Sequence, residues 1–269
     1  MTLNTHSLVE KNYSEKLEIF VKAVADIKPD IIALQEVNQS KEKKEAANLP
    51  NYFALDNATV REDNHVLSAV TMLSEMGIDY HWCYKNIKSG YGIYDEGLAL
   101  MSLSPITNAV SITVSKEDNY DNWRTRKILG INTRANPEDS FFSVHYGWWK
   151  DKDSFANQWL NTLEKLKGCG SVWLMGDFNN PAEIRKEGYD LILKSGLYDS
   201  YSKATEKDNG ITVDRIIDGW RDKIKNDVKG MRIDQIWSSN YHNIKSHKVI
   251  FNGKNYPVIS DHYGIIIEI

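Results

Sequence analysis

The chain has 269 residues, 41% hydrophobic and 26% charged, a makeup that fits a soluble globular protein and excludes a fibrous or disordered one. A formal net charge of −4 weighs against a protein whose main task is to grip a polyanion, since that task is mostly neutralisation of phosphates by Lys and Arg. Two cysteines, Cys83 and Cys169, exclude a disulfide framework and suit a reducing compartment. The opening stretch "MTLNTHSLVEKNYSEK" has no basic region followed by an apolar core, and no apolar run approaches the ~18 residues of a membrane span. A cytoplasmic protein without membrane contact is expected.

In chain order, Asn4 lies in a first strand, "TLNTH". From Ser14 to Ile27 the residues Leu17, Phe20, Val21, Val24 and Ile27 trace a helical stripe, with Ser14 as N-cap and Lys28-Pro29 as the stop. "DIIALQEV" follows as a short strand of the kind buried between layers. Residues 66–76 suggest a helix, "GLALMS" and "ITVS" strands, and "KILGINTRA" with "SFFSVHY" a hairpin pair. A helix over 153–167 carries Phe155, Trp159, Leu163 and Leu166 on one face and leads into the strand "SVWLM". "RIDQIWSS", "KVIF" and "YGIIIEI" complete a second strand set. No linker, low-complexity tract or repeat interrupts this pattern, so one domain over residues 1–269 is expected.

Sites in layered α/β folds form where strands stop, which draws attention to polar residues at strand ends. Glu36 closes "IIALQE", His145 follows "FFSV", Asp177 and Asn179 follow "SVWLM", Asp234 lies in "RIDQIW", and Asp261-His262 precede the last strand. Taken singly, each is more simply a turn-forming acid or amide, or a packed histidine. As a set with Asn4 they match the needs of a metal-and-phosphate site. In an extended segment residues i and i+2 share a side, so Asp177 and Asn179 would face one water or phosphate oxygen while Phe178 turns into the core.

"LQEV", "GDFN", "RIDQI" and "SDH", in this order over nearly the whole chain, resemble the endonuclease/exonuclease/phosphatase superfamily, the fold of pancreatic deoxyribonuclease. The resemblance implies a four-layer α/β sandwich: two mixed sheets packed face to face, with helices outside. It also implies Mg²⁺-dependent cleavage of phosphate esters, with Mn²⁺ a possible substitute. Mg²⁺ takes hard oxygen ligands and keeps several waters, so Glu36 is the expected ligand, with Asn4 and Asp261 beside or behind it. Asp177 would orient and deprotonate the attacking water, and Asn179 would donate to the developing charge. By the same resemblance His262 would contact the phosphoryl group with Asp234 holding its tautomer, His145 would donate to a phosphate oxygen, and Glu96 would face His145. Asp95 is adjacent to Glu96, and only one of the two can turn inward.

Superfamily membership leaves the substrate open among nucleic acids, lipids and small phosphate esters. Trp148, Trp149 and Trp220 would suit sugar rings if exposed beside the phosphate site, or else be core. Arg124 and Arg126, at same-face spacing, could fork onto a phosphate or pair at the surface. "HYGWW", "GITV", "IDGW" and "RIDQIW" are most similar to the bacterial maltose 6′-phosphate phosphatase branch, although Gln235 stands where Tyr is usual. A sugar-phosphate phosphomonoesterase is therefore expected, with a nuclease of the same fold as the alternative. A non-catalytic binding module fits less well, because no member of the acid, amide and His set is replaced by an apolar residue.

Overall fold

The computed structural model of the chain describes residues 1–215, 217 and 230–269, so Trp220 and most of "IDGW" lie outside the described residues. The elements of the first half are β1 (Thr2–Asn4), α1 (Tyr13–Ile27), β2 (Ile31–Ser40), α2 (His65–Glu75), β3 (His81–Gly90), β4 (Tyr94–Ser102) and β5 (Ile106–Thr113). They are followed by β6 (Lys127–Thr133), β7 (Asp139–His145), α3 (Phe155–Lys165), β8 (Ser171–Asp177), α4 (Gly188–Lys194), β9 (Tyr198–Asp199) and α5 (Ser200–Lys203). β10 (Glu206–Lys207), β11 (Asp234–Ser238), β12 (Ser246–Ile250) and β13 (Gly264–Glu268) complete the set.

The strands form two mixed sheets, ordered β10-β12-β13-β1-β2-β4-β3 and β5-β6-β7-β8-β11-β9. Alternation along the strands builds four layers. In β2, Ile32 and Leu34 face α1 and α2, joining Phe20, Val24, Val66 and Leu73, while Ile31 and Ala33 face the other sheet. In β8, Trp173 and Met175 enter that central core, and Val172 and Leu174 pack with Phe155, Trp159, Tyr189 and Ile192 of α3 and α4. Strands buried on both faces read as continuous apolar runs, which is why "IIAL" and "SVWLM" stand out in the sequence.

Three local expectations differ from the structure. Asn12, in a left-handed conformation at φ 58°, precedes α1, and Ser14 sits within the first turn. The strand expected at "ITVS" begins earlier, at Ile106, and ends at Thr113. The three C-terminal strands do not form one set: β11 pairs with β8, whereas β12 and β13 continue the sheet that holds β1. This division matters for function. β11 places Asp234 directly opposite Asp177, and the loop before β13 brings residues 260–262 against the end of β1 in the other sheet.

Candidate active site

Asp177, the last residue of β8, lies where the two sheets expose their strand ends to a common cleft. Gly176 before it has φ +151°, and a Cβ there would come within 2.0 Å of the Val144 carbonyl oxygen. Glycine thus lets β8 approach β7 closely enough to bring Asp177 beside His145. The structure brings Asp177 and Asn179 together, but not through extended backbone. Asn179 adopts φ 50°, its backbone N–H donates to Asp177 Oδ1 at 2.8 Å, and its Nδ2 donates to Asp177 Oδ2 at 3.3 Å. Asn180 rests on Gln235, whose Nε2 donates to the carbonyls of Asn180 (2.9 Å) and Arg232 (3.1 Å). Phe178 turns away, fully buried among the residues beneath α3 and α4.

Glu36 owes its position to a break in β2. The pairing with β4 shifts register between Leu34 and Val37, and Glu36 takes φ 49°. Such a bulge re-aims one side chain at a cost that neighbouring contacts must offset. Here Thr5 and Ser7 hydroxyls donate to the Glu36 carbonyl at 3.0 and 2.8 Å. Asn4 Nδ2 bridges Glu36 Oε1 (2.9 Å) and Asp177 Oδ2 (3.2 Å), while its Oδ1 accepts from the His6 backbone N–H at 3.3 Å. Asn4 therefore clamps the two acids from behind, with its carbonyl oxygen turned from Glu36.

Both histidines approach Asp177 Oδ2, His145 Nε2 at 3.6 Å and His262 Nε2 at 3.9 Å. These separations are too long for strong direct hydrogen bonds and leave a vertex that a water or phosphoryl oxygen can bridge. His262 Nδ1 lies 2.8 Å from Asp234 Oδ2, and Asp234 is fully buried. Burial alone would lower the His262 pKa, but the Asp234 carboxylate, with Asp177 and Asp261 beyond it, raises it well above the ordinary value. His145 shifts the other way: burial and the cations Arg126 and Lys88 hold it neutral. Burial pushes Asp177 up to about 7, with Asp234 and Glu36 adding to the rise and His262 opposing it.

Glu96 is the acid that turns inward, its Oε1 4.0 Å from His145 Nδ1 and 3.0 Å from Lys88 Nζ. Asp95 points elsewhere, to Arg61 Nε at 2.7 Å and Gln39 Nε2 at 3.2 Å. Asp261, half-buried, also lines the cleft. Of the expected substrate contacts, Arg126 and Trp148 line the cleft and two others do not. Arg124 donates to Asp151 Oδ1 at 2.9 Å and stacks on the Trp123 ring at 4.1 Å, so its charge is already paired. Trp149 packs against the core beneath α3.

Sequence reasoning missed Lys88, Trp123, Tyr91 and His6, all of which border this cleft of about 220 Å³. Trp123 is 46% exposed, and its ring lies 5.7 Å from that of Trp148. Its signal lies in "WRTR", an aromatic beside two arginines.

The donors fit a hard divalent cation. Glu36 and Asp261 offer carboxylate oxygens, and burial with repulsion from Glu96 pushes the Glu36 pKa up, which marks a negative charge that the chain alone leaves poorly balanced. Among the described residues, two acid-and-histidine clusters have ligand atoms within 4.8 Å of one another, Asp177-Asp234-His262 and His6-Glu10-Asp261. In the first, His262 and Asp234 are committed to each other; in the second, Glu10 is committed to His6 and Lys16.

Residues 1–262 match the endonuclease/exonuclease/phosphatase family, and the chain belongs to it. It is a hydrolase of that family by fold and membership. A family protein from Leptotrichia buccalis C-1013-b is 32% identical over 100% of this chain and 98% of its own, with a TM-score of 0.86. The mannosyl-6-phosphatase Bt3783 of Bacteroides thetaiotaomicron VPI-5482 shares the fold at 17% identity and a TM-score of 0.67, covering 99% of this chain and 97% of its own. So does the 3′ phosphatase NExo from Neisseria, solved with a product DNA hairpin, at 19% identity and a TM-score of 0.62 over 99% and 97%. No curated protein matches the chain in sequence. No described helix is long and apolar enough to cross a membrane.

Proposed function

We propose that the protein is a Mg²⁺-dependent phosphomonoesterase acting on a phosphorylated sugar, with a disaccharide phosphate such as maltose 6′-phosphate as the leading candidate. The observation that carries this reading is the convergence of His145 and His262 on Asp177 Oδ2, at 3.6 and 3.9 Å, in a small cleft edged by Trp123 and Trp148. The sugar-phosphatase name of one fold neighbour supports it.

Asp177 takes a proton from water as the water oxygen bonds to phosphorus and the ester P–O bond breaks; the departing sugar oxygen takes a proton from solvent. A pKa near 7 suits a general base at neutral pH. Asn4 and Asn179 hold the carboxylate in place. His262, kept protonated by Asp234, donates from Nε2 to the phosphoryl oxygens as their charge grows. The carboxylates of Asp177 and Glu36 facing His145 Nε2 favour the proton on that nitrogen, so neutral His145 donates to a second phosphoryl oxygen. Glu36 and Asp261 would hold Mg²⁺, or Mn²⁺ in its place, which when bound neutralises phosphate charge and polarises the P–O bond. Trp148, with Trp123, would meet the C–H face of the sugar.

The reading extends to a single catalytic domain over residues 1–269, cytoplasmic and free of membrane partners. Its test is phosphate release from sugar phosphates, nucleotides and inositol phosphates with Mg²⁺ or Mn²⁺. Preference for a disaccharide phosphate is the expected result. Nicking of supercoiled plasmid at low enzyme concentration, with no sugar phosphate cleaved, would replace this reading with the nuclease one.

A further inference from the structure

Arg126 is 5% exposed, yet its Nε has no hydrogen-bond partner and, among the described residues, no carboxylate pairs with it. One terminal nitrogen donates to the Trp123 carbonyl at 3.3 Å. The neighbouring buried cation, Lys88, is paired with Glu96 at 3.0 Å, so of the two it is Arg126 that has no carboxylate within ion-pair distance among the described residues, although Glu96, Asp177, Glu36 and Asp151 favour its charge from farther away. Burying an unpaired charge is costly, and such a group persists where something else completes it. Arg126, Lys88, His145 and Asp177 border the same cleft. A guanidinium presents several donors in a fixed fork that matches two oxygens of one phosphoryl group.

We infer that Arg126, backed by Lys88, is the receptor for the second negative charge of a terminal phosphoryl group, and that it sets the preference for phosphomonoesters over phosphodiesters. A monoester dianion has three nonbridging oxygens. His262 and His145 are aimed at the vertex beside Asp177, and Arg126 takes the remaining charge. A diester has one charge fewer, and a second substituent replaces one of those oxygens, so it forfeits this contact. The inference rests on the phosphomonoesterase reading but not on the identity of the sugar. The link from Arg126 to the Trp123 carbonyl also places the phosphate contact and the aromatic rim on one short segment.

The test uses the whole chain and inorganic phosphate as probe, read by thermal shift and titration calorimetry with and without Mg²⁺. Arg126→Met and Arg126→Lys are compared with the parent, alongside hydrolysis of p-nitrophenyl phosphate and bis(p-nitrophenyl) phosphate. Arg126→Met should weaken phosphate binding roughly 10- to 100-fold, the usual range for a lost hydrogen bond to a charged group. It should also lower kcat/KM for the monoester at least about tenfold more than for the diester. Arg126→Lys, which keeps the charge and loses the fork, should recover part of both. Without phosphate, Arg126→Met should unfold no lower than the parent, because it removes a buried charge that no described carboxylate pairs. Unchanged phosphate affinity in folded Arg126→Met, or equal losses on both esters, would overturn the inference. So would a markedly lower melting temperature without phosphate, which would make Arg126 structural. Arg126-dependent phosphate binding in a protein that cleaves no sugar phosphate would instead sink the sugar reading and leave this one standing.

Discussion

Asp234→Asn is the substitution that isolates the charge behind His262. It preserves the shape of a side chain that is fully buried, and it converts a carboxylate 2.8 Å from Nδ1 into a neutral amide. Hydrogen bonds to charged groups contribute roughly 1.5–3 kcal/mol, so kcat should fall about 10- to 100-fold if imidazolium is the working form. Without that carboxylate, burial acts on His262 with less opposition, and its pKa moves down. Titration of the ¹⁵N-labelled imidazole reads this directly: the parent should stay doubly protonated well above the ordinary histidine range, and the variant should lose the proton at lower pH. Stability follows the same sign. A raised histidine pKa stabilises the fold fully below the unfolded value and less as pH rises through the folded one. The melting-temperature gap between parent and variant should therefore narrow toward alkaline pH. Asp234 Oδ1 has no partner among the described residues, so the new amide N–H₂ adds a pH-independent cost of roughly 1–3 kcal/mol. A parent His262 that titrates like a free histidine, or a variant that titrates like the parent, would refute the reasoning.

Asp177→Asn and His262→Ala should each lower kcat by ~10²-fold or more with little change in KM, and the double variant should lose less than the product, since both act on one transition state. Steady-state kinetics checks this, and near-normal kcat in a folded single variant would end the assignment. Asp177 also carries a pH signature. Its folded pKa of about 7 lies above the ordinary 3.8, so the fold loses stability as pH rises between those values. Measured in chelator, the stability of Asp177→Asn relative to the parent should thus rise between pH 4 and pH 7 by on the order of a few kcal/mol, on top of a pH-independent cost from setting an amide N–H₂ against the Asn4 and Asn179 donors. Glu36→Gln should raise the Mg²⁺ needed for half-maximal activity roughly 10²-fold while leaving the fold intact, and full activity at ordinary Mg²⁺ would remove Glu36 from the metal site. Trp123→Ala and Trp148→Ala should raise KM for a disaccharide phosphate several-fold (~10-fold) more than for an aryl phosphate, whereas Trp149→Ala should chiefly lower stability. Equal losses on both substrates would make the two rim residues structural.

Much of the site was legible because its members end buried strands, where a polar residue interrupts an apolar run. Glu36, His145 and Asp177 show this interruption, and Asp234 and His262 flank apolar strands. What the sequence did not carry was pairing across the chain. Lys88 and Glu96 face each other on β3 and β4, but β3 mixes lysines with apolar residues and shows no clean alternation, so neither strand nor partner was read. The split of the C-terminal strands between sheets is a long-range pairing of the same kind. His6 could have been found, since it lies two residues beyond Asn4, the spacing that drew attention to Asn179. Tyr91 sits in the "GYG" turn at φ 50°, where the local pattern reads only as a turn. Arg124 and Arg126 show the limit of spacing alone: the same-face rule treats them alike, and it is Asp151, 27 residues from Arg124, that takes one of them out of the cleft.

The strained backbone of the site has a common logic. His6, Ser7, Glu36 and Asn179 all have positive φ, between 36° and 50°, and lie on three chain segments: the stretch after β1, β2 itself and the turn after β8. Residues held this way cost of order 1–3 kcal/mol each and persist only where the surroundings over-determine them. Here the surroundings are specific: two hydroxyls on the Glu36 carbonyl, and the Asp177 carboxylate on the Asn179 N–H. The result is that Glu36 is held beside Asp177 through Asn4, while His145 and His262 approach Asp177 Oδ2 and Arg126 lines the same cleft. Burial and Glu96 push Glu36 toward its neutral form, and Arg126 Nε has no hydrogen-bond partner among the described residues. On the proposed reading a divalent cation would balance the acid and a phosphoryl dianion would pair with the arginine, so the charges of the cleft would be matched when cation and phosphate ester are bound together.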